Sequence, residues 1–92
     1  MLSLEECLEF SDLEYDEIEA IAEHEHVPLI VAAEMGFQMA RTTDGLRGIH
    51  TILEEVADHA QACGHKAQAE HYRDACRLFL RHHPEISPPS SL

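Results

Sequence analysis

The chain has 92 residues, of which 45% are hydrophobic, and it carries a formal net charge of -12 at pH 7. That length suits one small domain, and the negative charge repels the phosphates of nucleic acids and of anionic membranes, so we expect neither as a partner. A core this small is often completed by a second copy of the chain, so the length favours a homodimer or a higher homo-oligomer.

The negative charge is concentrated in the first part of the chain. Residues 1–40 contain eleven acidic residues and no Lys or Arg, whereas all six basic residues lie in the remainder, where seven acidic residues nearly balance them. An acidic surface keeps a protein soluble and attracts cations or basic protein surfaces. We therefore expect the first half to face solvent or a basic protein partner.

The three cysteines, Cys7, Cys63 and Cys76, are odd in number and form no C-x-x-C pair. This pattern argues against a secreted disulfide framework and favours a reducing compartment. The first residues have neither the basic segment nor the apolar stretch of a signal peptide, and no run approaches the roughly 18 apolar residues that span a bilayer. The simplest expectation is a cytoplasmic protein.

The sequence predicts an all-α domain of five helices, the first of them short. Ser3 and Glu6 have the spacing of a capping box, in which each side chain satisfies a free backbone N–H group at the start of a helix. This first helix ends near Phe10, before a polar turn. A short N-terminal helix is therefore expected ahead of the longer ones.

The second and third predicted helices meet at Pro28. The second runs from about residue 15 to 26, and Leu13 and Ile18 have the spacing of a hydrophobic staple at its start. Proline lacks an N–H group and disfavours helical geometry at the residue before it, so the chain breaks or kinks sharply there. The third helix, about residues 28–41, is apolar on nearly every side, which predicts a position in the centre of the fold or at a subunit interface.

The fourth and fifth predicted helices, about residues 44–63 and 65–82, form an antiparallel hairpin because only a tight turn at Gly64 separates them. Thr42 or Thr43 caps the fourth helix. Its predicted buried face comprises Leu46, Ile49, Leu53, Val56, Ala57 and Ala60. The fifth helix buries a second stripe, made of Ala69, Tyr72, Cys76, Phe79 and Leu80. We expect one helical domain over residues 1–83 and a flexible Pro/Ser-rich tail over residues 84–92.

The run Glu23-His24-Glu25-His26 at the end of the second predicted helix is the chemically suggestive part of the sequence. At about 100 degrees per residue, Glu19, Glu23 and His26 fall along one edge of the buried face, so two carboxylates and an imidazole can converge. Glu25 projects towards the core and needs a partner if the helix is regular up to His26; it is exposed if the helix unwinds one residue earlier. The alternative for these residues is a solvated flank whose histidines cover the helix end.

The Glu23-x-x-His26 spacing resembles, at these two residues, the ligand pattern of ferritin-like di-iron and di-manganese bundles. That resemblance implies a carboxylate that bridges two metal ions, an imidazole that binds one of them, and other helices that complete the site. Glu34 on the third helix and Glu54 or Glu55 on the fourth are further carboxylates, and a twofold dimer would double the set. The predicted metal ligands, for iron, manganese or zinc, are Glu19, Glu23, His26, Glu34 and Glu54.

No motif in the sequence identifies a reaction. The chain has no Gly-rich phosphate loop, no H-E-x-x-H zinc signature and no serine with an evident base. We therefore favour a small self-associating interaction or scaffold protein without its own catalysis and without a cofactor. The alternative is a metal-carboxylate protein with a ferritin-like site that is completed across a dimer.

Overall fold

A computed structural model gives the fold of residues 13–86, and this part of the chain consists of helices without a strand. The elements are α1 (Tyr15–Glu25), α2 (Leu29–Met39), α3 (Thr43–Ala62), α4 (Lys66–His82) and a 3-10 turn (Pro84–Ile86). They correspond to the second to fifth predicted helices, so the all-α class is confirmed over this range. The short helix predicted to begin near Ser3 lies outside the described residues. No helix within 13–86 is both long and apolar enough to cross a membrane.

α1 begins at a capping box formed by Glu14 and Glu17. The Glu14 N–H donates to Oε1 of Glu17 at 2.9 Å, and the Glu14 side chain accepts from the backbone of Glu17 in return. Leu13 before the cap and Ile18 in the first turn are both buried, and both approach Gly36 of α2. The apolar pair that the sequence predicted as a staple is thus held against α2.

α1 ends where His26 adopts the left-handed conformation, with φ 58 and ψ 48. The N–H groups of His26 and Val27 both donate to the carbonyl oxygen of Ala22, and the second of these bonds is 3.1 Å long. The break predicted before Pro28 is therefore present, but the helix already stops at Glu25. Glu25 is exposed, which is the second of the two outcomes that the sequence left open.

α2 packs on the rest of the fold through its smallest residues. Ala32, Ala33 and Gly36 are buried, whereas Val31 is 38% exposed. The larger apolar residues of this helix are only partly buried: Leu29, Ile30, Met35, Phe37 and Met39. The sequence predicted that this helix lies in the centre of the fold or at a subunit interface. Within a single copy it does not lie in the centre, because its large side chains are not fully buried.

α2 and α3 are joined closely at Gly45. The Gly45 N–H donates to Oγ1 of Thr42 at 2.9 Å, which makes Thr42 the predicted N-cap of α3. A methyl group at Gly45 would overlap the backbone of Met39, so only glycine fits where the end of α2 meets the first turn of α3. The backbones of the two helices therefore approach each other closely at this point.

α3 and α4 form the predicted hairpin. Gly64 has a φ of 82, and the His65 N–H donates to the carbonyl oxygen of Ala60 at 2.9 Å, so the chain reverses in a tight turn. The predicted stripe of α3 is confirmed, since Leu46, Ile49, Leu53, Val56, Ala57 and Ala60 are all buried. In α4, Phe79 is fully buried, and Ala69, Tyr72 and Ala75 are buried beside it.

The packed fold continues past the predicted start of the tail. Pro84–Ile86 form a 3-10 turn, and the Ile86 N–H donates to the carbonyl oxygen of His83 at 3.1 Å. Ile86 is only 8% exposed and belongs to the apolar core. Ile86 thus supplies an apolar side chain to the core from within the range predicted as a tail, residues 84–92. Residues 87–92 of the predicted tail lie outside the described residues.

One carboxyl group lies inside the fold, at Glu17 of α1, which is 2% exposed. Burial raises the pKa of Glu17 to about 7; the bond from the Glu14 N–H opposes this shift, and the charges of Glu14 and Asp16 add to it. Within residues 13–86, every buried side-chain nitrogen and oxygen has a hydrogen-bond partner. The hydrogen bond from the Glu14 N–H in the capping box therefore lowers the free-energy cost of burying this carboxyl group.

Candidate functional site

Three ligand-type side chains meet at the rim between α1 and α4. Asp16 and Glu19 lie one turn apart on α1, and Nε2 of His71 on α4 is 3.2 Å from Oδ1 of Asp16 and 4.0 Å from Oε1 of Glu19. One ligand atom from each of the three residues lies within 4.8 Å of the other two. We call this group the triad. Its side chains are between 42% and 47% exposed, so solvent reaches them.

The triad is placed by the apolar residues beside it. Ala20 and Ile21 of α1 are fully buried, which turns Asp16 and Glu19 towards the rim of the helix. On α4, Tyr72 is 2% exposed and packs edge-on to the ring of His71, with 5.3 Å between the ring centroids. The packing of α1 against α4 therefore brings the two carboxylates opposite the imidazole.

A second group of ligand-type side chains lines a cleft between the end of α1 and the middle of α3. The cleft has a volume of about 570 Å³. Its lining consists of Glu23, His24, His26, Glu55, Val56 and His59. Glu55 and His59 are one turn apart on α3, so they form one wall of the cleft, and the end of α1 forms the other.

His24 joins the two walls of this cleft. Its Nδ1 lies 2.7 Å from Oε2 of Glu25, and its Nε2 lies 2.7 Å from Oε1 of Glu55 on α3. The hydrogen bond to Glu25 raises the pKa of His24, partial burial opposes the shift, and the hydrogen bond to Glu55 raises the pKa further. A protonated imidazole donates to both carboxylates at once, so the contact is strongest when His24 is charged.

Glu19 and Glu23 connect the triad to the cleft. Both line a shallow groove together with Tyr72 and Leu29. The pKa of Tyr72 lies well above its usual range, first because the phenol is buried and then because of the charges of Glu23 and Glu19 and a hydrogen bond to Glu23. The exposed edge of α1 is thus a continuous row of carboxylates from the triad to the cleft.

The structure divides the predicted metal ligands between different places. Glu19 lies in the triad, whereas Glu23 and His26 line the cleft. In the described part of the chain, Glu34 and Glu54 lie outside both groups. Glu34 is on α2, and Glu54 lies 3.6 Å from Nδ1 of His50 and beside the half-buried Cys76, at a groove between α3 and α4. Burial raises the pKa of the Cys76 thiol to about 11, so this cysteine stays a protonated thiol at neutral pH.

Two residues of the triad, Asp16 and His71, were missed by sequence reasoning. Asp16 and Glu19 have the i, i+3 spacing of neighbours on a helix, which the sequence does show. His71 is more than fifty positions away, and only the packing of α4 against α1 brings it to them. The pairing of His24 with Glu55 likewise depends on the position of α3 relative to the end of α1.

No protein-family model matches this chain, and comparison with curated proteins and with solved structures finds no match either.

Proposed function

We propose that this protein binds a divalent metal ion through Asp16, Glu19 and His71. The observation that carries the proposal is that one ligand atom from each residue lies within 4.8 Å of the others, although the residues come from two helices. Two carboxylate oxygens and one imidazole nitrogen form a donor set suited to manganese, iron or zinc. Solvent reaches the three side chains, so water completes the coordination shell.

The charge of the surroundings supports a cation at this position. The two carboxylates of the triad lie in residues 1–40, which contain no Lys or Arg, and Glu23 continues the row of carboxylates along α1. A field of one sign attracts counter-ions to its surface. The only described ion-pair partner of Asp16 and Glu19 is His71 itself, which binds a metal ion in its neutral form.

This proposal retains part of the prediction made from the sequence. It keeps Glu19 as a ligand and iron, manganese or zinc as the metal. It takes the imidazole from His71 of α4, because within one copy the ligand atoms of His26 do not join those of Glu19. A dinuclear ferritin-like centre would require further ligands from a second copy.

The triad differs from an ordinary surface ion pair in its response to metal. If protonated His71 only neutralised the two carboxylates, their exposed contact would contribute about 0–1 kcal/mol and would not respond to added metal. A site that binds metal only in the folded state stabilises that state in proportion to the logarithm of the metal concentration. Titration with metal therefore separates the two possibilities.

The test uses the full chain without a polyhistidine tag, freed of metal with a chelator. Mn(II) is added while electron paramagnetic resonance measures the free ion, which loses its signal on binding. We expect saturable binding by the unaltered protein, and loss of that binding in Asp16→Asn and in His71→Ala. The matched controls are Glu70→Gln, a carboxyl group next to His71, and His82→Ala, an exposed imidazole at the end of α4.

Each outcome decides for or against the triad. Retained Mn(II) binding in the controls together with its loss in both triad variants supports the proposal. Equal binding by His71→Ala and the unaltered protein overturns it, as does an equal loss in Glu70→Gln. Because Asp16 and His71 lie at the solvent-accessible rim and outside the apolar core, their substitution leaves that core intact, and far-ultraviolet circular dichroism verifies this.

Self-association through α2 is a second candidate function, favoured by the exposure of this helix. Val31 is 38% exposed, and the other large side chains of α2 are only partly buried. α2 carries one acidic residue, Glu34, in contrast to the dense negative charge of α1. Two copies of a chain with a net charge of -12 repel each other least across such a weakly charged face, so the occupant we propose is a second copy.

In this second proposal the protein is an interaction or scaffold protein without its own catalysis, and its acidic α1 is left free for a basic protein surface. The free thiols of Cys63 and Cys76 suit the cytoplasm that we propose as its location.

Light scattering should show a molar mass that rises from monomer to dimer with concentration. Val31→Asp should abolish the rise, and Leu78→Asp, at a residue that is 43% exposed on α4, should not. A monomer at every concentration would contradict self-association.

A further inference from the structure

The cleft between α1 and α3 is lined almost entirely by metal-ligand side chains that the triad does not use. Of its six lining residues, five carry an imidazole or a carboxylate, and the sixth is Val56. Imidazole nitrogen suits zinc, nickel and copper ions. Among the residues that line it, none is a Lys or an Arg, so no fixed cation opposes the entry of a metal ion.

The backbone conformation of His26 directs attention to this residue. His26 is the one non-glycine residue with a positive φ between residues 13 and 86. The left-handed conformation at a helix end usually belongs to glycine or asparagine, because a Cβ atom is strained there. An imidazole kept at such a position, and facing a cleft with other ligands, suggests that the side chain has a role that glycine could not supply.

Glu23 and His59 extend the ligand set across the cleft. Glu23 is exposed on the last turns of α1, three positions before His26, and lines the cleft beside it. His59 lies on the α3 wall, where its Nε2 is 3.6 Å from Sγ of Cys63. Each of the two walls thus contributes an imidazole, and α1 also contributes a carboxylate.

The contact of His24 with Glu55 links the two walls of the cleft. Both ring nitrogens of His24 are 2.7 Å from carboxylate oxygens, so in this structure His24 is a brace between α1 and α3. A residue that holds ligands in place without binding the metal is a positioning residue. We assign that role to His24 and to Glu55.

An organic cation fits this lining less well than a metal ion does. Only two of the lining residues are carboxylates that could pair with a guanidinium or ammonium group, and one of them, Glu55, is already bonded to His24. A transition-metal ion instead binds the neutral imidazole nitrogens directly and is also attracted by the carboxylate. We therefore propose that the cleft is a second metal site, which takes a zinc, nickel or copper ion through Glu23, His26 and His59.

This cleft site differs from the triad in its geometry. The ligand atoms of the triad already lie within 4.8 Å of one another, whereas those of the cleft surround a volume of about 570 Å³. An ion in the cleft must therefore draw the side chains inwards and fix the chain at the end of α1. Metal binding should slow amide hydrogen exchange around residues 23–28, whereas binding to the triad alone should not.

The test measures Zn(II) binding to the full, untagged chain by isothermal titration calorimetry, with Co(II) absorption as a second readout of the coordination geometry. We expect two sites in the unaltered protein. His26→Gly removes an imidazole but retains the left-handed backbone, so loss of binding in this variant cannot be attributed to a disrupted helix end. His59→Gln removes the ligand from the opposite wall, at an exposed position.

His26→Gly and His59→Gln should each weaken the cleft site by more than about 100-fold, since loss of an outer positioning residue alone costs about 10- to 100-fold. His24→Ala should weaken it by about tenfold while leaving the Co(II) spectrum of the saturated protein unchanged. His65→Ala and His82→Ala alter exposed histidines away from the cleft and should leave both sites intact. They control for adventitious binding to a chain that contains eight histidines.

The two metal sites are tested independently. If His71→Ala removes one zinc equivalent and His26→Gly removes the other, both sites are supported. If His71→Ala has no effect while His26→Gly and His59→Gln each remove binding, the triad is wrong and the cleft site stands. Unchanged stoichiometry and affinity in both cleft variants overturn the inference, as does an equal loss in His82→Ala. Far-ultraviolet circular dichroism of the metal-free variants confirms that each remains folded.

Discussion

The α3–α4 hairpin and α1 bury their surfaces in different ways. The hairpin presents an apolar face, in which Leu53 and Phe79 are fully buried. α1 buries the carboxyl group of Glu17 alongside its apolar residues, ends in the left-handed residue His26, and carries ligand-type side chains along its exposed edge.

This difference suggests where stability and chemistry are located in so small a protein. Burial of apolar side chains stabilises the hairpin at every pH, since none of the buried groups in α3 carries a charge. A buried carboxyl and a left-handed histidine each cost stability; the first lies in α1 and the second is its C-terminal cap. The hairpin therefore supplies stability at every pH, whereas the two costly features belong to α1 and its C-terminal cap.

The largest expected effect comes from breaking the hairpin core at Phe79. Phe79→Ala removes a fully buried ring and should lower the free energy of unfolding by about 3–5 kcal/mol. The loss should be present at both low and high pH, because the apolar burial that is removed does not depend on a charge. Urea denaturation in the presence of a chelator measures it.

Phe79→Leu is a milder substitution at the same position, because it keeps most of the apolar volume. It serves as the test variant if Phe79→Ala does not fold. The matched control is Leu78→Ala, next to it on α4, where the side chain is 43% exposed and truncation should cost far less. Similar losses at the two neighbouring positions would show that the core is not where the structure places it.

The hairpin could be predicted from the sequence, whereas the interior of α1 could not. Apolar residues recur at helical spacing in α3, and Gly64 marks the reversal, so local signals suffice. Glu17 has no such signal. Its burial follows from the packing of α1 on the other helices, and a sequence pattern that treats every glutamate as exposed misses it.

The candidate site shows the same limit. Glu23 and His26 line one cleft because they are neighbours at a single helix end, which is a relation that the sequence shows. The partners from other helices, His71 for the triad and His59 for the cleft, depend on how the helices pack. Periodicity identifies the face of a helix but not the element that lies opposite to it.

The second largest effect should appear at Glu17 and should depend on pH. The pKa of Glu17 is raised from 4.5 to about 7 in the folded protein, so folding favours the protonated form. Its contribution to stability is fully present below about pH 4.5 and is lost as the pH rises through about 7. At pH 8 the buried carboxyl group of Glu17 is charged, and this charge destabilises the folded state. Glu17→Gln removes the charge and should stabilise the protein at pH 8 by up to about 3 kcal/mol, with little effect at pH 4.5.

Urea denaturation across this pH range, with a chelator present, measures the effect of Glu17→Gln. Glutamine keeps an oxygen that accepts from the Glu14 N–H, so the capping box survives. Glu70→Gln, at an exposed position of α4, should leave the pH profile unchanged. A Glu17→Gln profile parallel to that of the unaltered protein would mean that Glu17 titrates as it does in water.

Substitution of His26 is expected to change the free energy of unfolding by a smaller amount, and to raise it, whereas Phe79→Ala lowers it. His26→Gly relieves the left-handed strain and should stabilise the metal-free protein by about 1 kcal/mol. Thermal unfolding followed by circular dichroism measures the gain. The comparison variant is Gly64→Ala, at the equivalent turn of the hairpin, where φ is also positive and the change should destabilise. A loss of stability in His26→Gly would show that the imidazole stabilises the helix end in some other way.

The smallest effect should come from the tie between α1 and α3. The pKa of His24 is raised from 6.5, first by its bond to Glu25 and then by its bond to Glu55. The contribution of His24 to stability is therefore present below about pH 6.5, and it is lost as the pH rises through the pKa of the folded state. Glu55→Gln should lower the pKa of His24, followed by nuclear magnetic resonance, and cost less than about 1 kcal/mol at acid pH. An unchanged pKa in Glu55→Gln would leave the bond to Glu25 as its only source. Because Glu25 lies on the same helix as His24, that result would mean that the bond to Glu55 does not tie α1 to α3.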